Sequence, residues 1–390
     1  MGFIRADIAS LPQSGIARVA VSRLGDPKVI PLWFGEGDMV TPRFIRDAAK
    51  TALDDGETFY SYTRGTTELR DAIQTYLGNL YGVDVHPDRI SVPGSSMLCV
   101  TIAAQMALTQ GDHALAVSPH WPNIEYAMRI TGADFGIVRQ RQTAQGWELT
   151  AAEIIAAVQP NTRCIFVNTP CNPTGWVMPA EEQQQLLEYC RQQQILLIAD
   201  EVYHRMAYGM EHSPSFLQLA REDDPLFVIY GLSKSWAMTG WRLGWVVAPP
   251  ALQAQWQIMS ENFNTGATVF AQRAAATALL QGEPLVADLR DHYAQGRDIV
   301  MQALGSHPRI SLSQPEGAFY VFPHIEGLQS SMDFALDLLA EEDVGVAPGY
   351  TFGEGNEQHI RICFARSHEQ LREGLSRLVR FIDRTSRVAV

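Results

Sequence analysis

The chain has 390 residues, 46% hydrophobic and 19% charged, with a formal net charge of −13. That length exceeds one comfortable core and points to roughly two to three globular domains, and the acidic balance disfavours nucleic acid as a partner, since phosphates need a basic footprint. No apolar run of about 18 residues is present, so no membrane span is expected; the N-terminus has no apolar signal core, and Cys99, Cys164, Cys171, Cys190 and Cys363 show no zinc or disulfide spacing, which suits reduced thiols in the cytoplasm.

Along the middle of the chain, helix-like and strand-like patterns alternate. Residues 98–108 read as helix, 113–117 as strand, 122–131 as helix and 135–138 as strand. Residues 151–158 read as helix, 164–167 as a buried strand, 180–193 as helix, and 195–199 and 226–230 as further strands. Such βα alternation predicts an α/β fold, a mostly parallel sheet covered on both faces by helices. After Pro250 the pattern changes to long helices over 251–261, 267–280 and 283–303. A smaller α+β portion follows, with segments at 317–322, 333–342 and 359–364. No internal repeat or low-complexity linker interrupts the chain.

The chemistry-bearing residues fall just after predicted strands, where open α/β sheets place their ligands. Lys234 follows the apolar run 226–230, with Ser233 before it and Arg242 eight residues beyond; Asp200 and Asn172 follow two other apolar runs. A lysine needs a lowered pKa to act as a nucleophile at neutral pH, and a buried cationic neighbourhood would supply it. An arginine nearby suits a phosphate, because its planar fork binds oxyanions bidentately. An aldehyde carrying both a phosphate and a ring nitrogen would use the lysine, the arginine and the aspartate together. Pyridoxal 5′-phosphate (PLP) is that compound.

The ordered motifs extend this over nearly the whole chain: Gly35-Glu-Gly-Asp38, Tyr60 with Gly65 and Glu68-Leu-Arg70, Pro93-Gly-Ser-Ser96 and Ser118-Pro-His-Trp121. Then come Asn172-Pro-Thr-Gly175, Asp200-Glu-Val-Tyr203, Ser233-Lys234 with Arg242, and Arg361. In this order and spacing the chain resembles the class I/II PLP-dependent aminotransferases of fold type I, the aspartate aminotransferase-like enzymes. The resemblance implies a large PLP-binding domain over 49–280 and a small domain made of 1–48 with 281–390. It makes Lys234 the Schiff-base lysine and the base that moves the substrate's α-proton, and Asp200 the partner of the pyridine nitrogen. Tyr203 and Asn172 would reach the ring's phenolic oxygen, and Trp121 would stack on the ring. Ser95, Ser96, Ser233 and Arg242 would hold the phosphate, with Tyr60 reaching it from a neighbouring subunit of a homodimer. Arg361, helped by the Gly35 amide and Asn172, would clamp the substrate α-carboxylate. The resemblance also implies cis peptide bonds before Pro119 and Pro173.

On this reading the partners are an amino acid and a 2-oxo acid. A PLP-dependent C–S (β) lyase is the alternative enzyme, suggested by Pro31-Leu-Trp-Phe-Gly-Glu-Gly-Asp-Met39, although Gly240-Trp-Arg-Leu-Gly244 is closer to the transaminases. An aminotransferase-like regulator would add a basic N-terminal DNA-binding segment, and the family pattern begins by about residue 15. Substrate choice is open: Arg18, Arg64 and Arg273 are available cations, and Trp33, Tyr62 and Phe319 are candidates for an apolar pocket or for the core. Taken alone, Arg361 reads as a solvated member of an alternating strand, His120 as structural, and His204 has no assigned role.

Overall fold

A computed structural model describes residues 3–385. Its centre is a seven-stranded sheet of β1 (Ile90–Gly94), β2 (His113–Ser118), β3 (Asp134–Arg139), β4 (Thr162–Asn168), β5 (Leu196–Asp200), β6 (Leu226–Gly231) and β7 (Gly244–Val247). The spatial order is β1-β7-β6-β5-β4-β2-β3. Strand β7 runs antiparallel to β1 and β6, and the pairs β6–β5, β5–β4, β4–β2 and β2–β3 are parallel. The sheet is therefore mostly parallel, as the βα alternation predicts. Two strands escaped the pattern reading. Strand β1 carries Ser91 and Pro93, and β7 is only four residues long, so neither shows a long apolar run.

The parallel strands are apolar on both faces, which is why they read as continuous runs rather than alternations. Ile165, Val167, Leu197, Ala199 and Val228 face one core. Their neighbours Cys164, Phe166, Ile198, Phe227 and Ile229 face a second core, with the helix Ser96–Ala107 against it. The helix Ala180–Gln193 matches its predicted span. The three long helices after Pro250 run Gln253–Asn264, Val269–Gln281 and Glu283–Leu304, within three residues of expectation.

The segment before the sheet packs with the end of the chain. The short strand Ile30–Pro31 pairs in parallel with Val344–Gly345, and the helix Gly15–Ala20 lies against the strand Ala347–Pro348. That strand and Tyr320–Val321 flank Ile360–Cys363 on its two sides, both antiparallel. The helix Arg43–Asp54 straddles residue 48 and packs against Val269–Gln281. The bonds before Pro119 and Pro173 are both cis, and Thr169–Pro170 is a third that the resemblance did not suggest.

Close packing of Trp33 on Gly345 fixes the junction between the first segment and the last. A Cβ added at Gly345 would lie 1.9 Å from Cε3 of the buried Trp33 ring. Gly345→Ala should therefore destabilise the protein by about 1–3 kcal/mol through overpacking. A drop of several degrees in the thermal midpoint is expected, and an unchanged midpoint would show that the junction yields freely.

Candidate active site

The carboxyl ends of the parallel strands converge on one cavity of about 270 Å³. Strand β4 ends at Asn168 and β5 at Asp200, and the register pairs these two residues side by side. Strand β6 ends at Gly231 and leads directly into the short helix Leu232–Ser235, which carries Ser233 and Lys234. Lys234, Asp200, Asn172, Tyr203, Trp121 and Arg361 all line this cavity, with Gly35, Ser96, Ser233 and Arg242. Ten of the sequence-predicted site residues are thus brought together from seven separate stretches of chain.

Lys234 donates through Nζ to the Gly35 carbonyl at 2.5 Å. Burial pushes its amine down to about 8, with smaller contributions in the same direction from Arg361 and Arg242. The sequence reading gave the cations the leading part; removal from water leads instead, since a low-dielectric site disfavours any charged amine. Burial also raises the Asp200 carboxyl to about 7, against a backbone bond from Val202 and the charge of Lys234 that favour ionisation. Its neighbour Glu201 is raised to about 7 for the same leading reason, while its oxygens accept from Ser215 Oγ at 2.6 Å and the Phe216 amide at 2.9 Å.

Arg361 is 2% exposed, which corrects the reading of a solvated strand residue. The strand Ile360–Cys363 has a neighbour on both edges, and the first segment of the chain meets it at the Leu32 and Trp33 carbonyls. The guanidinium lies over the Tyr320 ring at 4.6 Å and the Phe352 ring at 5.0 Å. It donates to Asn172 Oδ1 at 3.1 Å and to the Trp33 carbonyl, while Nε is buried without a hydrogen-bond partner. A buried cation with an unused donor, held flat by two rings, is shaped for a planar anion. Asn172 is itself anchored, its backbone N–H donating to Asn168 Oδ1 at 2.8 Å, and Asn168 Nδ2 donates to the Asp200 carbonyl at 2.9 Å.

At the opposite side of the cavity, Ser96 donates through Oγ to the Tyr230 carbonyl at 2.9 Å. Ser95 caps the helix Ser96–Ala107 by accepting from the Leu98 amide at 3.2 Å. Ser95 does not line the first cavity; it lines an adjoining one with Gly94, Leu98 and Asn264, and Arg242 borders both. Arg242 is exposed, with a left-handed backbone at φ 56° and a donated bond to the Thr239 carbonyl at 2.7 Å. Gly231 and Gly244 are required here, because a Cβ on either would come within 2.4 Å of Ser96 Oγ. Tyr60 stands apart from the cavity at 91% exposure, beside the equally bare Phe59.

Several lining residues were missed. Asn168 ends a strand whose apolar pattern gave no reason to extend it by one, and Tyr320 sits in the predicted segment 317–322 without a motif to single it out. Tyr320 and Tyr203 share a hydroxyl–hydroxyl bond of 2.7 Å. The three pocket candidates do not line the cavity: Trp33 and Phe319 are core and Tyr62 bonds Gln257, and it is Phe34, not singled out in the sequence, that lines it. His204 is structural: it bonds the Tyr76 hydroxyl at 2.7 Å, and burial pushes it down to about 3, so it stays neutral.

The class I and II aminotransferase family model matches residues 28–378. The chain belongs to that family. Members are generally PLP-dependent, and the buried lysine, the buried carboxyl and the unused Arg361 donor fit that group and an anionic substrate. The aspartate aminotransferase of Pyrococcus horikoshii is 32% identical, over 91% of each chain. Among solved structures, a Pyrococcus protein gives a TM-score of 0.91 at 30% identity, covering 97% of this chain and 98% of its own. The aromatic aminotransferase of Pyrococcus horikoshii gives 0.87 at 30% identity, covering 95% and 99%. The chain is a transaminase, and no observation favours elimination at Cβ.

The raised carboxyl of Asp200 gives a pH test on cofactor-free protein. A carboxyl at 3.8 unfolded and about 7 folded keeps its proton longer in the folded state, so its contribution is full below about 4 and is lost as pH rises through 7. Glu201 acts in the same direction and window. Asp200→Asn should therefore flatten, without abolishing, the fall in thermal midpoint between pH 4 and 7. An unaltered slope would mean that Asp200 is already ionised.

Proposed function

We propose that this enzyme moves an amino group between an L-amino acid and a 2-oxo acid with PLP held on Lys234. The observation that carries this reading is the pairing of a depressed Lys234 and an elevated Asp200 in one buried cavity with Arg361. When bound, PLP supplies an aldehyde that condenses with amines and a ring that takes up the electron pair left by the departing α-proton.

The protein's own groups then divide the work. Lys234, whose amine burial brings down to about 8, would accept the substrate's α-proton at Nζ. Asp200 would serve as counter-charge to the ring nitrogen, and a cation there would return the carboxyl to its ionised state. Tyr203 and Asn172 would hold the phenolic oxygen, and Trp121 would pack against the ring. Ser95, Ser96, Ser233 and Arg242 would hold the phosphate, with the positive end of the helix Ser96–Ala107 behind them. Arg361, with the Gly35 amide and Asn172, orients the α-carboxylate and so fixes which substrate bond stands over Lys234.

The same reading makes the enzyme a homodimer in which Tyr60 and its exposed loop complete the neighbouring site. Residues 49–280 act as the large domain, and 1–48 with 281–390 as a small domain that closes when a carboxylate engages Arg361. Five buried free thiols suit work in a reducing cytoplasm.

Borohydride reduction of the holoenzyme should fix a pyridoxyl group on Lys234; label on another lysine would overturn the assignment. An amino donor without oxo acid should shift the cofactor band to shorter wavelength, and a 2-oxo acid should restore it. Pyruvate and ammonia alone, with no aminated cofactor, would point to the lyase. Arg361→Lys should lower kcat/KM for donor and acceptor by about tenfold or more and Arg361→Ala by more again, because both substrates share the carboxylate contact.

Tyr60→Phe tests the shared site. It should weaken PLP retention in the dimer while leaving the monomer fold unchanged, measured by dialysis and sedimentation. Full PLP affinity in a stable monomer would sink the shared-site assignment.

A further inference from the structure

Tyr320 lines the cavity that gathers the reactive groups, although no motif singles it out. Its ring lies beneath the Arg361 guanidinium at 4.6 Å, and its hydroxyl bonds that of Tyr203 at 2.7 Å. The Gly35 backbone packs on the same hydroxyl: a Cβ added at Gly35 would collide with Tyr320 Oη. The Gly35 carbonyl in turn accepts from Lys234. Tyr320 thus touches Tyr203, Arg361 and the glycine that orients the reactive amine.

The two hydroxyls have two protons to place. Burial raises both phenols above their ordinary value, so both stay protonated across the working range. One proton lies between the oxygens, and the other needs a separate acceptor. Tyr320 is fully buried, and among the described residues its hydroxyl has one hydrogen-bond partner, Tyr203. Were Tyr203 the donor, the Tyr320 proton would be buried without an acceptor, which is the costlier arrangement. With Tyr320 as donor, Tyr203 accepts, and its own proton is free for an acceptor in the cavity that Tyr203 lines. A hydroxyl that accepts one bond also donates the next more strongly, because chained hydrogen bonds polarise one another.

We propose that Tyr320 is a positioning residue: its hydroxyl donates to Tyr203 and so aims the Tyr203 proton at an oxygen bound in the cavity. This rests on the transaminase reading, in which that acceptor is the phenolic oxygen of PLP. It also gives Gly35 a second reason to lack a side chain, since a Cβ there would take the place of the Tyr320 hydroxyl.

The test follows the cofactor absorbance of the substrate-free holoenzyme against pH. A bond donated to the phenolic oxygen favours its anionic form, and so lowers the midpoint at which the bound cofactor sheds its proton. Tyr320→Phe keeps the ring beneath Arg361 and removes only the hydroxyl. It should raise the midpoint by about half a pH unit or more, the scale of one hydrogen bond. Tyr203→Phe should raise it further, and the double variant should match Tyr203→Phe alone, because Tyr320 acts through Tyr203. Should Tyr203→Phe move the midpoint and Tyr320→Phe not, the inference is overturned and the transaminase reading stands. Effects that add in the double variant overturn it as well. A purely structural Tyr320 would lower the thermal midpoint of the fold and leave the spectral one in place. If Tyr203→Phe moves nothing, the inference fails together with the Tyr203 contact; a parent enzyme that binds no PLP on Lys234 overturns the transaminase reading too. For a Tyr320→Phe protein that does not load PLP, Tyr320→3-fluorotyrosine decides. It keeps the hydroxyl and makes it a stronger donor, so the midpoint should fall, and one that rises or stays overturns the proposal.

Discussion

The arrangement depends on two ionisable groups of opposite sign, Lys234 and Asp200, withdrawn from water in one cavity without forming an ion pair. In such a place each group tends to shed its charge, and both shifts run in that direction. At neutral pH the protein gains no stability from either. Burial of groups at this cost is common where a site is shaped for something other than the protein itself. The nearest fixed partner of the amine is a neutral carbonyl, that of Gly35, so the nitrogen is oriented without being committed to a carboxylate.

The sheet makes that placement possible. Parallel strands buried on both faces are rigid, and their carboxyl ends lie in one row, so Asn168 and Asp200 are set next to each other by register alone. Chemistry that needs groups held to fractions of an ångström benefits from this edge more than from a loop. Arg361 arrives from a different sheet, yet its bonds to Asn172 and to the Trp33 carbonyl tie it to β4's outgoing loop and to the first segment of the chain. The anion contact is thus a junction of three regions that are distant in sequence. The Tyr203–Tyr320 hydroxyl bond adds a fourth link, from the segment after β5 to the ring beneath the guanidinium.

Much of this was legible in the sequence because parallel strands leave long apolar runs, and the residue just after such a run is where ligands sit. Lys234, Asp200 and Asn172 are read in that way. What stayed hidden depends on contacts between separate segments. Arg361 looks solvated in its own strand, since only the flanking strands and the Trp33 segment reveal its burial. Tyr320 gains significance from a hydroxyl supplied by Tyr203, 117 positions away. Phe34 and Trp33 are adjacent aromatics with opposite fates, one lining the cavity and one packed on Gly345, and composition does not distinguish them. Ser95 belongs to the right helix terminus but faces the adjoining cavity, a difference of one residue at a cap.

A transaminase cycle places a further demand on such a pocket. Donor and acceptor occupy the same cavity in turn, so one Arg361 and one side-chain wall must serve both.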